Sequence, residues 1–318
     1  FTAFERAGLT LRQEALFRPL EAGLGIAAAL AGGGVAALAL VHAGVWSLQA
    51  VDGWRRARRL GPIGLARPDR EMAARFLRFA PFGLNTLVTS WMELAPVALG
   101  RAVLPGFAAL GQVSVLMQGV LMLNLLPNML ALATLPVLRR TVARGETRDR
   151  IYASVLCRAL PVAAALATIA AEAVAAPLVI PVLGPGFAGM TALVGLLPAV
   201  WLPWAIASAC RSVLVSHLRI WSLPLAAMPA GLTLLAGILA LGPVQGVAGI
   251  LAAMFLANAL WCAGILLALR YQLGIAPLSW RALALFAATA LAARALGPGP
   301  AAAGLAAACL AAAWWLLA

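Results

Sequence analysis

What most restricts the fold of this sequence is where its charges are absent. Apolar stretches of about 20 residues or more follow one another along 318 residues, and arginine is confined almost wholly to alternate gaps between them. About 20 consecutive apolar residues let an α-helix cross the ~30 Å hydrocarbon core of a bilayer. In hydrocarbon a backbone must satisfy its own hydrogen bonds, and a helix does so within one segment. Breaks at Gly, Pro and Arg divide the runs into about ten helices, near 13–31, 35–54, 80–103, 107–137, 149–175, 187–213, 219–241, 246–270, 279–296 and 300–318. Short turns are expected at "AGGGV" (31–35), "RAVLPGF" (101–107), "VLGPGF" (182–187), "LGPVQG" (241–246) and "LGPGP" (296–300).

The arginines orient this layout. One set of connections holds Arg6, Arg12 and Arg18; Arg55, Arg56, Arg58, Arg59, Arg67, Arg70, Arg75 and Arg78; Arg139, Arg140, Arg144, Arg148, Arg150 and Arg158; Arg211 and Arg219; and Arg270 and Arg281. The other set holds only Arg101 and Arg294. Short cytoplasmic loops carry the excess of basic residues, so the first set is read as cytoplasmic, and with it both ends of the chain. The fold class expected is therefore all-α: a polytopic membrane protein.

Composition agrees. The chain is 64% hydrophobic and 10% charged, with a mean hydropathy of +0.99, against roughly a quarter charged in soluble domains. The net charge of +13 would suggest nucleic acid in a soluble domain. Here it belongs to cytoplasmic loops, and no nucleic-acid partner is expected. The longest such connection, "RRARRLGPIGLARPDREMAARFLR" (55–78), is expected to set topology and to touch anionic lipid headgroups. Cys157, Cys210, Cys262 and Cys309 all lie in apolar runs without metal-ligand spacing and read as small packing residues. There is no phosphate-binding glycine loop of the ATPase type and no catalytic constellation. No cofactor or enzyme activity is expected, so any transport would draw on an ion gradient, the membrane potential or the substrate gradient.

"GVAAL" (34–38) and "GVAGI" (246–250) each open a helix after an outer turn, and each is followed 24 residues after its first glycine by an arginine, Arg58 and Arg270. Such a parallel repeat is found in transporters built from two like halves.

Most of the predicted helices are nearly free of polar groups, and two are not. At 100° per residue, Asn85, Thr89, Glu93, Thr86 and Ser90 lie at about 0°, 40°, 80°, 100° and 140° around one helix, with Glu93 at the centre of the face. On the next helix Ser114, Gln118, Asn124 and Asn128 share an arc of about 120°. Lipid does not tolerate such faces, which point instead to a helix bundle interior or a wet cavity. Amides there also serve as polar glue between helices. A carboxylate at mid-bilayer costs at least ~2.5–3.5 kcal/mol on insertion scales, so Glu93 is read as an ion-coupling or substrate site. Arg158 and Arg211, near inner helix ends, are candidates to line a cavity, or to reach the headgroups. His42 reads as a packed side chain; Asp52 and Glu21 have Arg55 and Arg18 nearby as partners; Glu172 and Arg101 read as interfacial. Trp46, Trp54, Trp201, Trp204, Trp221, Trp280, Trp314 and Trp315 lie toward helix ends, as in interfacial belts.

With these residues in place, the chain resembles the polysaccharide transporters (Wzx-type O-antigen and exopolysaccharide flippases) of the MOP exporter superfamily. "RFAPFGLNTLVTSWMELAPVALGRAVLPGFAALGQVSVLMQGVLMLNLLPNMLALATLPVLRRTVARGE" is similar to that family's seventh and eighth helices, through Glu93, Leu99-Gly100, Gly111 and Pro136; Gln112 stands where the family has an aromatic. "VLGPGFAGMTALVGLLPAVWLPWAIASACRSVLVSHLR" resembles the outer turn and tenth helix, and "GPVQGVAGILAAMFLANALWCAGILLALR" the twelfth. The resemblance implies two six-helix lobes and a final helix pair, with the first four helices preceding this chain, in keeping with its start at Phe-Thr-Ala-Phe. Residues 1–60 would then close the N-terminal lobe, 61–276 form the C-terminal lobe and 277–318 the additional hairpin. The function implied is movement of a polyprenyl-diphosphate-linked oligosaccharide from the inner to the outer leaflet, with membrane lipids and glycan polymerase machinery as partners. The cavity would hold Glu93, Asn85, Thr89, Ser90, Gln118, Asn124 and Asn128, with Arg158 and Arg211 for the anionic headgroup. A cation-coupled drug or metabolite antiporter (the MATE branch) and a lipid II flippase share the architecture and are the alternatives.

Overall fold

The computed structural model of the chain describes residues 7–32, 34–60, 70–296, 304–306, 308–309 and 311–312, and among these there is no strand. Helix α1 spans Ala7–Leu30, α2 Gly34–Leu60, α3 Arg70–Val103, α4 Phe107–Ala143 and α5 Arg148–Leu183. After a short 3-10 segment (Pro185–Met190) come α6 (Thr191–Val194), α7 (Leu197–Ser216), α8 (Ser222–Leu273) and α9 (Trp280–Leu296). Among the described residues four helices are long and apolar enough to cross a membrane: Phe107–Ala143, Arg148–Ala173, Leu197–Ser216 and Ser222–Leu273. The chain divides into two compact units, Phe1–Ala73 and Ala74–Ala318.

In the first unit α1 and α2 form an antiparallel hairpin. Gln13 donates from Nε2 to Asp52 at 2.9 Å and to the Gln49 carbonyl at 3.4 Å, and Glu21, about two turns further along α1, meets His42. The expected charge partner of Asp52 is corrected here. Asp52 pairs with Arg56, one turn ahead on its own helix, at 2.7 Å, because a spacing of four residues puts two side chains on one face. Glu21 takes His42 across the hairpin, and that histidine, expected to be packed, is exposed and lies against Trp46 with ring centroids 5.5 Å apart.

In the second unit consecutive long helices also run antiparallel. Asn124 of α4 reaches Glu93 of α3, while Leu110 packs against Gly100 near the turn between them. On α5 and α7 three levels match in reverse order: Asp149 with His217 at 2.7 Å, Cys157 with Cys210 at 3.6 Å between sulfurs, and Glu172 beside Gly195. The 52-residue α8 is itself a hairpin. Gly246 takes φ 60° and ψ −134°, a backbone region open to glycine and strained for other residues. Its two arms, 222–245 and 247–273, lie against each other through small residues. A Cβ added at Gly264 would stand 2.7 Å from the Ala226 Cβ, and one at Gly237 2.7 Å from the Ala253 Cβ. Close approach through Gly and Ala is how helices pack without bulky knobs. "GVAAL" begins α2, and "GVAGI" begins the second arm of the α8 hairpin.

The helix expected over 187–213 is corrected. The 3-10 segment and α6 precede a break at Gly195 and Leu196, and a helix resumes at Leu197 with Pro198 in its first turn. Proline suits that position because the first-turn N–H groups have no intrahelical acceptor. From there α7 is buried on almost every side, packed between α4, α5 and α8, which explains why its sequence reads apolar all round. Trp201 and Trp204, expected at an interface, are core residues 2% and 6% exposed; Trp46, Trp54, Trp221 and Trp280 remain exposed. Trp314 and Trp315 lie outside the described residues.

Candidate functional site

The polar face of α3 meets polar groups of α4 and α7 around a cavity of about 360 Å³. From α3 come Phe82, Thr86, Thr89, Ser90 and Glu93; from α4, Asn128, Ala131 and Leu135; from α7, Trp204, Ser208, Arg211, Ser212 and Val215. The α3 contribution follows from periodicity, since residues three and four apart stack along one side of a helix. The α7 contribution does too: Trp204, Ser208, Arg211, Ser212 and Val215 share one stripe about 100° wide on that buried helix, the stripe that borders the cavity.

Glu93 is half-buried and accepts a hydrogen bond from Asn124 Nδ2 at 3.4 Å. Arg211, also half-buried, faces the same cavity, and the two charges attract across it. No ion pair within 4.0 Å joins them, so both heads are free to engage a third group. Behind Glu93 lies a void of only about 10 Å³ against Met117, Met254 and Trp204, with room for no more than one water. The carboxylate therefore takes its hydration from the larger cavity. Ser208 donates to Asn128 Oδ1 at 3.1 Å, which turns the Asn128 amide with its oxygen toward α7. Thr86 and Thr89 donate to the carbonyls of Phe82 and Thr86 at 3.0 and 3.1 Å, leaving their oxygens as acceptors. Trp204 packs against Trp261 of α8 with ring centroids 4.6 Å apart and planes tilted by 51°, an apolar floor.

Of the expected residues, Glu93, Thr89, Ser90, Asn128 and Arg211 line the cavity, and Asn124 supports Glu93 from beside it. Asn85 is fully buried next to this face but lines no part of the cavity, and among the described residues neither of its amide atoms is bonded. Gln118 is exposed and outside it. Ten residues separate it from Asn128, about 80° around the helix, so an arc of 120° is wider than the face that looks into the cavity. Arg158 also lies elsewhere, in a second cavity. The reason is the seam between α5 and α7, where Cys157 meets Cys210. The next residue on each helix is turned about 100° from that seam, Arg211 toward α3 and α4 and Arg158 toward α9.

Sequence reasoning passed over Phe82, Ser208 and Ser212. A serine inside an apolar helix looks like a small packing residue; the spacing Trp204–Ser208–Arg211–Ser212–Val215 is the signal that marks one face. Among the described residues no group of three His, Cys, Asp or Glu side chains could hold a metal ion. No protein-family model, no curated protein and no solved structure matches this chain.

Proposed function

We propose that this chain belongs to a multi-pass transporter of the cytoplasmic membrane, built like the two-lobe MOP exporters, that moves a polyprenyl-diphosphate-linked oligosaccharide from the inner to the outer leaflet for cell-surface polysaccharide synthesis. The observation that carries the reading is the cavity among α3, α4 and α7, with one carboxylate and one guanidinium facing each other unpaired among hydroxyls and an amide. Such groups inside apolar helices need a wet, protein-lined space. The lipid-linked substrate is amphiphilic: its tail stays in lipid, while the diphosphate and sugars need cationic and hydrogen-bonding partners. Arg211 offers a planar fork of donors that suits phosphate, and Ser90, Ser208, Ser212 and Asn128 suit sugar hydroxyls. A space of 360 Å³ holds the diphosphate end and the nearest sugar, so a longer glycan requires the cavity to open. The helices that form it carry internal prolines at 81, 96, 127, 136 and 203, each removing a backbone hydrogen bond and favouring a bend. Bent helices rocking about a fixed site suit alternating access. On this reading both ends of the chain are cytoplasmic, and the product is consumed by glycan polymerase machinery.

A MATE-type antiporter would use Glu93 as its proton or sodium site. Arg211, on the α7 wall of the same cavity, repels a cationic drug, which favours an anionic substrate, whether an oligosaccharide carrier or lipid II. The test is accessibility. A Ser212→Cys protein in native membranes is expected to react with a water-soluble thiol reagent, and to react more slowly when lipid-linked oligosaccharide is supplied. A cysteine there that reacts from neither side, with the protein correctly inserted, would overturn the reading.

A further inference from the structure

A second cavity, of about 450 Å³, lies between the first turns of α5 and the link from α8 to α9, and its lining includes Ser154, Arg158, Ser279, Trp280 and Arg281. This link is a fixed structure. Gly274 ends α8 in a left-handed conformation (φ 65°), the Ile275 N–H donates back to the Leu269 carbonyl at 3.2 Å, and Ile275 and Pro277 are buried. Ser279 Oγ accepts from the Ala282 N–H at 3.3 Å and so caps the start of α9. Two arginines from two different helices thus share one cavity. No carboxylate lines it, and among the described residues neither Arg158 nor Arg281 makes an ion pair. Both arginines are exposed, so their guanidinium groups can turn into the cavity they line; two such groups near each other repel, and an anion between them turns that repulsion into attraction.

The level of the cavity says which anion. Arg281 sits in the first turn of α9, whose 17 residues span roughly 25 Å at 1.5 Å per residue. The arginine distribution puts that end of α9 at the cytoplasmic face, and Trp280, 75% exposed, stands at the depth where interfacial tryptophans sit among headgroups. We propose that Arg158 and Arg281, with the Ser154 and Ser279 hydroxyls, bind the phosphate of an anionic lipid of the inner leaflet. Basic pockets between helices on the cytoplasmic side recognise such headgroups. The site rests on the membrane orientation read from the arginines and is independent of which substrate the larger cavity carries.

The test is lipid retention by the purified protein in native mass spectrometry, with phosphatidylglycerol, phosphatidylcholine and inorganic phosphate as the three probes. Phosphatidylglycerol is expected to be retained in preference to phosphatidylcholine, and Arg158→Gln and Arg281→Gln are each expected to lower its retention about fivefold. Arg219→Gln, an exposed arginine outside this cavity, is expected to leave it unchanged. A double Arg158→Lys, Arg281→Lys protein keeps both charges and is expected to retain more lipid than either Gln variant, which reads the site even if the Gln variants fold poorly. Unchanged retention in both Gln variants, an equal loss in Arg219→Gln, or displacement of the lipid by inorganic phosphate at matched concentration would each overturn the proposal. None of these outcomes depends on transport, so they leave the function proposed for the larger cavity to be judged by its own test.

Discussion

Replacing Glu93 by Gln separates its charge from its shape. The Gln side chain keeps an oxygen that can accept from Asn124 Nδ2, as the carboxylate does at 3.4 Å, and only the charge facing Arg211 is lost. The size of that loss follows from the cavity. The two heads line one cavity without coming within 4.0 Å of each other, and unit charges roughly 9 Å apart attract by about 2 kcal/mol at an effective dielectric of about 20, or about 0.5 kcal/mol in bulk water. Glu93→Gln is therefore expected to insert and accumulate near the normal level, since an uncharged side chain is cheaper to hold in the membrane. Export of surface polysaccharide in a flippase-deficient strain is expected to fall at least tenfold, about 1.4 kcal/mol, because no carboxylate is left to balance the Arg211 charge as substrate moves. A double-mutant cycle with Arg211→Gln, read in thermal stability of the purified proteins, is expected to give a coupling of about 0.5–2 kcal/mol. Full export by Glu93→Gln, together with additivity within about 0.3–0.5 kcal/mol, would refute the reasoning and reduce Glu93 to a helix-bridging group. Loss of the Glu93→Gln protein itself would instead mark the Glu93 charge as a folding requirement.

Other consequences are independent of transport. Gly264→Leu drives a side chain into Ala226, already 2.7 Å from where a Cβ would stand, and is expected to cost about 1–3 kcal/mol as overpacking of the α8 hairpin, measured as a lowered midpoint of thermal unfolding; Gly264→Ala should cost less. Asp149 is 4% exposed and bonded to His217 at 2.7 Å, so His217→Ala leaves a buried carboxylate unpaired and is expected to lower stability by about 1–3 kcal/mol, whereas His217→Gln should recover part of it. For topology, Val244→Cys, at an 80% exposed position, should label from outside intact cells. Arg144→Cys, exposed between α4 and α5, should label only after permeabilisation, and Cys157, Cys210, Cys262 and Cys309, all buried, should contribute little background. The reverse pattern would overturn the orientation.

How much of this was legible in the sequence depends on what each feature rests on. The turns at 101–107 and 241–246 could be read because glycine and proline interrupt apolar runs locally, and the structure places Gly106 (φ 90°) and Gly246 (φ 60°) there in conformations that favour glycine. The polar face of α3 could be read because it is periodic along one helix. What could not be read is which faces of separate helices meet. Gln118 and Asn128 belong to one polar arc, yet only Asn128 is turned into the cavity. Arg158 and Arg211 look alike in sequence, and the Cys157–Cys210 seam sends them to different cavities. Trp204 looks like an interfacial residue until Trp261, 57 positions on, is seen against it. The break at Gly195 escaped notice because the residues on either side are as apolar as those within a helix, so hydropathy carries no mark of it.

The most direct measurement is translocation itself. Purified protein reconstituted into vesicles, given a fluorescent polyprenyl-diphosphate oligosaccharide on one leaflet, is expected to bring it to the other faster than protein-free vesicles, and Arg211→Gln is expected to slow that movement at least tenfold while Arg219→Gln does not. Movement no faster than in empty vesicles, or an Arg211→Gln protein as fast as the unmodified one, would contradict a transport path through the cavity of α3, α4 and α7.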